Sequence, residues 1–505
     1  MMKILPTHSR LGGAVSMALA AGIMGAGSFV FAAEKPNIVL FLVDDMGLMD
    51  TSQPFLAGKD GRLAKQPLND FYRTPGMVRL AKTGTLFSCF YANSVCSPTR
   101  TTILNGQSSA RHHVTQWINP YKKNSGPKGW NWKGLKPGDV TLPGLLKEAG
   151  YKTIFCGKAH LGPFKSEGVD PTNLGFDVNI GGSAIGQPGS YYGEKNYGKG
   201  GSHPVPHLEK YHGTKTFLTE ALTLEVNKEI DKAKAEKKPF FVEMSHYALH
   251  APFHSDPRFA DNYKDSGKNA RAQAYATLVE GMDKSLRDML DHLEKIGEAE
   301  NTIVIFLGDN GSDAPLGRTH SVGSSAPIRG KKGTHYEGGM RVPFIMSWAK
   351  PSAGSALQKK FPINPGAVTD DFASICDIFP TALEAAEVEA PKSHIVDGQS
   401  IASYLENQKG ENKQTFLMHF PHSHRSSYFT VYRDGDWKIV YHYAKPQGKR
   451  VELFNLAKDP YEAKNMAATE TQRVSEMLKQ MQAALDEAGA QYAVHKDGKP
   501  MRIEH

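Results

Sequence analysis

The sequence predicts an α/β fold, with a large, mostly parallel sheet flanked by helices and a smaller antiparallel subdomain at the C-terminus. Two continuous apolar runs, 37–43 and 302–307, have the length of buried strands. Between them, apolar residues in 270–296 recur at the spacing of one helix face. Fully apolar strands that alternate with amphipathic helices are typical of a parallel sheet covered on both faces.

Further segments extend this pattern or interrupt it. Apolar runs at 151–155 and 240–244 are predicted as additional central strands. The segment 186–213 is rich in Gly, Tyr and His and shows no regular period, so it is predicted as a long surface loop. Long loops of this kind in globular domains are often functional.

The C-terminal part has a different pattern. Two aromatic-rich, alternating runs, 427–433 and 437–443, flank an Asp-Gly pair and predict a β-hairpin. A helix is predicted near 470–488. We therefore expect a main domain over 34–405 and a C-terminal subdomain over 406–505.

The composition is that of a globular protein. Of 505 residues, 40% are hydrophobic and 22% are charged, which argues against a disordered chain or one with many membrane spans. The formal net charge of +8 is spread along the chain without a dense basic run. This favours acidic ligands mildly, and nucleic acid is not expected as a partner.

The first 33 residues are predicted to be a secretory signal. Lys3 and Arg10 precede an uncharged stretch, 11–33, that is rich in Ala, Gly and Met and ends in small residues. We expect cleavage of 1–33, a secreted or periplasmic protein, and no stable membrane association afterwards. A retained membrane anchor is the alternative, because the stretch is long enough to span a bilayer.

The four cysteines are too few for a disulfide scaffold in a chain of this length. Cys89, Cys156 and Cys376 have apolar surroundings and are expected to be buried free thiols. Cys96 differs from these three because it begins the motif at 96–100.

Acidic and amide side chains directly follow the two long apolar strands. Asp44 and Asp45 follow the first strand, and Asp309 and Asn310 follow the second. Open α/β sheets bind ligands just beyond the carboxyl ends of their strands. A site with only oxygen ligands suits a hard cation, Ca²⁺ or alternatively Mg²⁺. Either pair taken alone is more often an ordinary turn.

The run Cys96-Ser97-Pro98-Thr99-Arg100 resembles the signature of formylglycine-dependent sulfatases, Cys-x-Pro-Ser/Thr-Arg, in which the cysteine is oxidised to formylglycine. Further matches follow in the family's order, at 157–162, 250–252, 308–311 and 329–343. The resemblance covers nearly the whole chain after the signal segment. It implies the fold of the alkaline phosphatase superfamily and, as a partner, an enzyme that converts the cysteine.

The resemblance also implies a mechanism for the hydrolysis of sulfate esters. Hydrated formylglycine is a gem-diol: one hydroxyl attacks sulfur, and the other later expels sulfate as the aldehyde re-forms. The implied metal lowers the pKa of the attacking hydroxyl and neutralises sulfate charge. Its implied ligands are Asp44, Asp45, the modified Cys96, Asp309 and Asn310.

Five other side chains take roles from the resemblance. Arg100 and Lys158 would steady the diol and the sulfate oxygens. His250 would protonate the leaving sugar oxygen, and Lys332 would contact the bridging oxygen. His160 would take the proton of the second hydroxyl.

Some of these assignments have alternatives within the sequence. His246 or His254 could replace His250 as the acid, and Lys331 could replace Lys332. Glu337 and Arg341 are expected to form a structural pair.

The substrate is expected to be a sulfated glycan, with a role in polysaccharide degradation, because of the export signal, the positive charge and the Tyr- and His-rich loop. Candidates for contacts with the leaving group are His419, His422, His424 and Arg425, although a solvated polar loop is equally compatible. A phosphonate monoesterase or phosphodiesterase of the same superfamily is the enzymatic alternative. The second alternative is a non-catalytic glycan-binding protein, but every expected catalytic position is filled.

Overall fold

An eight-stranded mixed sheet forms the centre of the fold. The computed structural model describes residues 35–57, 62–406, 415–444, 450–495 and 497–504, so the predicted signal segment 1–33 lies outside the described residues. In spatial order the strands are β5 (Val178–Ile180), β4 (Lys152–Gly157), β6 (Phe240–His246), β1 (Asn37–Val43), β7 (Thr302–Gly308), β8 (Phe344–Trp348), β2 (Gly84–Phe87) and β9 (Ala367–Thr369). Of these eight strands, β8 runs antiparallel to its neighbours.

The four apolar runs predicted as strands are confirmed, and they form the adjacent parallel strands β4, β6, β1 and β7. Every residue of β1, β6 and β7 is buried. Val43 of β1 pairs with His246 of β6 and with Gly308 of β7. The carboxyl ends of these strands are therefore level, and the residues that follow them meet at one edge of the sheet.

Helices cover both faces of the sheet. They are α1 (Pro67–Phe71), α2 (Pro75–Thr83), α3 (Cys96–Asn105), α4 (Ser109–His112), α5 (Leu142–Glu148), α6 (Leu218–Ala235), α7 (Ala270–Lys295), α8 (Glu337–Met340), α9 (Ala356–Lys360), α10 (Ile378–Ala386), α11 (Ala402–Leu405) and α12 (Thr471–Glu487). The long predicted helix is confirmed as α7. Alternate residues of β1 belong to two separate apolar cores: Val39 packs in the core with α6 and α7, and Leu40 in the core with α5 and α10.

The C-terminal part contains a four-stranded antiparallel sheet, as predicted. Its strands are β11 (Thr415–Phe420), β12 (Phe429–Asp434), β13 (Trp437–His442) and β14 (Val451–Asn455), and β12 and β13 form the predicted hairpin. One face of this sheet packs against α12. The other face packs against Tyr91 and Met340 of the main domain, where β3 (Phe90–Tyr91) pairs with β10 (Ala373–Ser374).

The segment 186–213 is not simply a surface loop. Tyr191 and Tyr197 within it are completely buried in the core that contains α6 and α7. The Tyr191 hydroxyl lies within hydrogen-bond distance of the carbonyl oxygens of Tyr247 (2.6 Å) and His250 (2.8 Å). The aromatic residues that suggested solvent-facing contacts therefore also anchor this segment to the core.

Two smaller expectations concern cysteines and membrane spans. Cys89, Cys156 and Cys376 are buried free thiols, as expected. Within the part of the chain that the structure describes, no helix has both the length and the apolar character needed to cross a bilayer.

A buried ion cluster connects the C-terminal sheet to α8. The Lys438 ammonium of β13 lies 3.0 Å from Glu337 Oε1 and 2.7 Å from Glu462 Oε1, and all three residues are buried. Arg341 Nη1 lies 3.6 Å from Glu337 Oε2, which gives the expected pair. Glu337 is thus held by Lys438 of the C-terminal sheet and by Arg341, which directly follows α8.

We expect Lys438→Met to destabilise the protein by about 3–5 kcal/mol, because it leaves two buried carboxylates without their shared cation. Urea unfolding monitored by circular dichroism measures this change. The control is Lys479→Met on the exposed side of α12, which should change stability by less than about 0.5 kcal/mol. Equal, small effects of both substitutions would show that the ion cluster does not hold the C-terminal sheet.

Candidate active site

Polar residues that follow four adjacent parallel strands converge at one edge of the main sheet. Asp44 and Asp45 follow β1, and Asp309 follows β7. The Asp309 amide donates to the Val43 carbonyl (3.0 Å), and the Asp45 amide donates to Asp309 Oδ1 (2.9 Å). These bonds fix the two acidic turns against each other. The pair Asp44 and Asp45 and the pair Asp309 and Asn310 therefore form one cluster.

The first turn of α3 brings Cys96 and Arg100 to this cluster. Cys96 is the first residue of the helix, where the helix dipole favours negative charge, and Arg100 lies one turn later on the same side. The helix ends at Gly106 with φ +70°, where an added Cβ would lie 2.8 Å from the Phe379 ring. Every residue of α3 is buried.

The Arg100 guanidinium connects three strands. Its Nε and Nη2 donate to Asp309 Oδ2 at 3.0 and 2.7 Å. Its Nη1 donates to the Lys158 carbonyl at 2.8 Å and to Ser245 Oγ at 2.5 Å. Because Arg100 is only 1% exposed, these contacts fix its position and that of Asp309.

Three oxygens of the acidic cluster have no hydrogen-bond partner among the described residues. They are Asp44 Oδ1, Asp45 Oδ2 and Asn310 Oδ1, all on completely buried residues. A buried oxygen without a hydrogen bond lowers the stability of the folded protein, and here three such oxygens occur together. Asp44, Asp45 and Asp309 also each offer a carboxylate oxygen within 4.8 Å of the others. This set of oxygen donors fits a hard divalent cation.

Two buried lysines lie against the same carboxylates. Lys158 Nζ is 2.7 Å from Asp44 Oδ2, and Lys332 Nζ is 2.5 Å from Asp45 Oδ1. Burial alone would raise the pKa of Asp45, but Lys332 and then His250 outweigh it and hold that pKa well below its usual value. Burial, with Lys158 opposing it, raises the pKa of Asp44.

His160 presents a proton acceptor to Cys96. Its Nε2 lies 2.5 Å from the Ile118 carbonyl oxygen, which can only accept, so Nε2 carries the proton. Burial, and then the charge of Lys158, lowers the pKa of His160 well below its usual value, so the ring is neutral. Nδ1 is therefore unprotonated, and it lies 3.3 Å from Cys96 Sγ.

His250 lies on the other side of the acidic cluster. Its Nδ1–H donates to the Ala251 carbonyl (2.9 Å), which leaves Nε2 directed to Asp45 Oδ2 at 3.6 Å. Burial, and then the charge of Lys332, lowers the pKa of His250 to about 3. The ring is therefore neutral, and its unprotonated Nε2 can accept a proton.

The alternative residues lie elsewhere. His246 is completely buried and its Nε2 contacts Ser285 Oγ at 2.9 Å, while the His254 ring stacks on Tyr192 at 4.9 Å. Lys331 forms an ion pair with Asp313 at 2.8 Å. None of these three alternative side chains lines the cavity that contains Cys96 in the described residues.

That cavity has a volume of about 370 Å³, and Cys96, His160, His250 and Lys332 all line it. Sequence reasoning missed one wall of this cavity, which is formed by Trp117, Asn119, Pro120 and Tyr121. The segment that carries Trp117 and Tyr121 has no motif or periodicity, and it is held in place by the contact of His160 with Ile118.

The four C-terminal candidates for substrate contact separate into two groups. His424 and Arg425 line the cavity. His419 does not, because Thr430 Oγ1 (2.8 Å) and the Gln491 carbonyl (2.6 Å) occupy both of its ring nitrogens. His422 is likewise occupied by Thr115 Oγ1 (2.7 Å) and the Ser125 carbonyl (3.0 Å). Of the four residues, His424 and Arg425 therefore remain candidates for contact with a ligand in this cavity.

Comparison with known proteins identifies the family to which this site belongs. The family model described as Sulfatase matches residues 36–388, and one described as N-sulphoglucosamine sulphohydrolase, C-terminal matches 331–491. The chain belongs to the sulfatase family. It is therefore a sulfuric ester hydrolase of the alkaline phosphatase superfamily.

Individual relatives cover most of this sulfatase. It is 30% identical over 394 residues to N-acetylgalactosamine-6-sulfatase of Mus musculus, which covers 75% of this chain and 67% of the mouse protein. It is 29% identical to a sulfatase of Formosa agariphila, with 86% and 85% covered. The crystal structure of Ps i-CgsB superposes with a TM-score of 0.70 at 22% identity, over 93% of this chain and 95% of that one.

Family membership implies a divalent metal and a formylglycine. The oxygen donors of Asp44, Asp45, Asp309 and Asn310 fit the metal. Cys96 fits the formylglycine, because its sulfur lies in the cavity that Lys332 also lines and faces the acceptor nitrogen of His160. Each sequence-predicted catalytic residue therefore lies in or directly beside this cavity.

We expect a divalent cation to raise the melting temperature of metal-stripped protein. A cation at one hundred times its Kd stabilises the folded state by about 2.7 kcal/mol. Asn310→Ala should require at least tenfold more cation for the same rise, since it removes a donor oxygen without leaving Arg100 unpaired. Asn364→Ala, at an exposed asparagine outside the cluster, is the control and should respond like wild type. If Asn310→Ala also responds like wild type, the cluster is not the metal site.

Proposed function

We propose that this sulfatase removes sulfate from a sulfated glycan, using formylglycine made from Cys96 and a Ca²⁺ ion held by the four-residue oxygen cluster. One observation carries the proposal. Cys96 Sγ lies in a cavity with the unprotonated Nδ1 of His160 on one side and buried cations beside it. When present, the formylglycine supplies a hydroxyl nucleophile, and the metal supplies positive charge for the sulfate group.

We propose that Lys158 and Lys332 hold the sulfate group of the substrate. Both ammonium groups are buried beside carboxylates that the metal would share. A sulfate ester bears a negative charge, so these donors can form charge-assisted hydrogen bonds to its oxygens. Arg100, whose donors are occupied by Asp309, Ser245 and the Lys158 carbonyl, positions the cluster.

We propose complementary proton transfers for the two histidines. His250 lines the cavity, and the negative charge of the bound ester would favour protonation of its Nε2, which then donates to the leaving sugar oxygen. His160, with Nδ1 free to accept, takes the proton from the side chain at position 96 when sulfate departs. His250 therefore acts when the sugar leaves, and His160 acts later, when sulfate leaves.

The glycan assignment is supported by the names of relatives. The mouse relative is an N-acetylgalactosamine-6-sulfatase, and Ps i-CgsB has been crystallised in complex with k-i-k-neocarrahexaose. Around the cavity of this chain, His424 and Arg425 offer polar contacts and Trp117 and Tyr121 offer aromatic faces. Such surfaces suit sugar rings that carry anionic groups.

We favour Ca²⁺ over Mg²⁺ because the cluster presents carboxylate and amide oxygens and no nitrogen or sulfur donor besides position 96. Ca²⁺ accepts many protein oxygens in irregular geometry, whereas Mg²⁺ usually keeps several waters. The melting temperature of metal-stripped protein should therefore rise more with Ca²⁺ than with Mg²⁺.

We also propose that 1–33 is removed during export, that the mature protein is secreted or periplasmic, and that an enzyme generating formylglycine acts on Cys96. The division into a catalytic domain, 34–405, and a C-terminal subdomain, 406–505, is proposed with it. The charged and apolar pattern of the first 33 residues supports the export proposal.

If His250 is the general acid, His250→Ala should reduce turnover of a sugar sulfate by about 10²–10⁴-fold. Turnover of 4-nitrophenyl sulfate should fall far less, because its phenolate leaves without a proton. His254→Ala, whose ring stacks on Tyr192 outside the cavity, is the matched control. Equal losses on both substrates would move the acid role to another residue, with Lys332 tested first.

Cys96 should be found as formylglycine in active protein, because a thiol cannot release sulfate by re-forming an aldehyde. The conversion exchanges SH and one hydrogen for an aldehyde oxygen, so mass spectrometry should find a correspondingly lighter peptide. Across preparations, activity should follow the converted fraction. Cys96→Ala should fold normally and be inactive. Full activity with unmodified Cys96 would overturn the mechanism.

A further inference from the structure

A second, larger cavity lies next to the one that contains Cys96. Its volume is about 1090 Å³, and Tyr121 lines both cavities. This volume is at the upper limit of pockets that hold small ligands, which suggests an extended occupant. We call this cavity the lysine groove, after its lysines Lys122, Lys123, Lys133, Lys136 and Lys165.

The lysine groove carries excess positive charge. Five lysines line it against two acidic residues, Asp139 and Glu167. In the described ranges, none of the five ammonium groups lies within ion-pair distance of a carboxylate, whereas lysines elsewhere, such as Lys228 and Lys350, form such pairs. Exposed like charges that share one cavity repel each other, and an anionic ligand would relieve that repulsion.

Aromatic side chains lie at the junction of the two cavities. Tyr121 is 57% exposed and Phe164 is 37% exposed, and their ring centroids are 5.4 Å apart. Tyr121 also contacts His203, which lines the cavity of Cys96, at 5.5 Å. Exposed aromatic faces beside cations are suited to sugar rings that carry anionic groups.

The walls of the lysine groove are fixed to one another. The Phe164 amide donates to the Pro120 carbonyl at 2.8 Å, and the Leu135 amide donates to the Leu161 carbonyl at 3.1 Å. Gly134 has φ +75°, and a Cβ there would lie 1.7 Å from the Leu161 oxygen, so these backbones pack without space between them. The groove is therefore formed before any ligand binds.

We propose that the lysine groove binds sulfate groups on sugars next to the one whose sulfate is removed. The substrate is then a multiply sulfated oligosaccharide or polysaccharide chain, which extends past Tyr121 into the groove. This inference rests on the proposed function, since it assumes that the cleaved sulfate is bound beside Cys96.

The test compares substrates of increasing length. Heparin, chondroitin sulfate, carrageenan and fucoidan are first assayed for released sulfate. Fragments of two, four and six sugars are then prepared from the polysaccharide that releases most. Lys122, Lys123 and Lys133 are changed together to Ser. The matched control changes Lys295, Lys359 and Lys479, exposed lysines outside the lysine groove, to Ser, which removes the same charge.

For the wild type, kcat/KM should rise with fragment length, and added NaCl should weaken this rise. The groove variant should lose at least tenfold in kcat/KM on the six-sugar fragment relative to the two-sugar fragment, mainly through KM. The control variant should keep the wild-type ratio. A groove variant with the wild-type ratio would overturn the inference while leaving sulfatase activity on glycans intact.

Failure of the proposed function gives a different result: converted protein would release no sulfate from any polysaccharide. The lysine groove is then tested by calorimetry with a heparin hexasaccharide, which requires no turnover. At least tenfold weaker binding by the groove variant than by the control variant would support the groove as a site for sulfated chains. Equal binding by the two variants would overturn it.

Discussion

Three buried carboxylates that lie side by side are the constraint on which the site depends. Asp44, Asp45 and Asp309 are completely buried, and such charges are stable only with nearby cations. The cations that balance them are Arg100, Lys158 and Lys332. A divalent metal among the unpartnered oxygens would leave this cluster with a net charge of about +2, which suits an anionic ester. The same pairings that stabilise the fold therefore prepare the site for its substrate.

Much of the fold was predictable because its central strands are buried on both faces. Such strands are apolar at nearly every position, as in 38–43 and 303–307, and do not need a partner to be recognised. The acidic cluster was predictable for a related reason, since carboxyl ends of adjacent parallel strands must meet. These inferences rely on strand direction alone and not on the placement of individual loops.

The sequence does not predict the orientation of a side chain where tertiary contacts decide it. His419 and His424 both belong to a His-rich stretch, yet His419 lies within β11 with both nitrogens occupied and His424 lies beyond its end. Nothing local in the sequence separates them. The same holds for 186–213, whose tyrosines could equally face solvent or the core, and for Tyr121, whose position depends on the packing of three loops.

The C-terminal part contributes His424 and Arg425 to the cavity wall. The Gly333 amide donates to the Ser94 carbonyl at 2.7 Å, and the Lys332 amide donates to Ser312 at 3.0 Å, which places the Lys332 loop between two turns of the main domain. From the C-terminal part, Arg425 donates to Asp313 at 2.6 and 2.8 Å beside this loop. Movement of the C-terminal part would therefore displace Arg425 from Asp313 and from the cavity wall. Substrate contacts can vary in the loops around the cavity, but the pair of Arg425 and Asp313 must stay formed for the C-terminal part to keep its share of that wall.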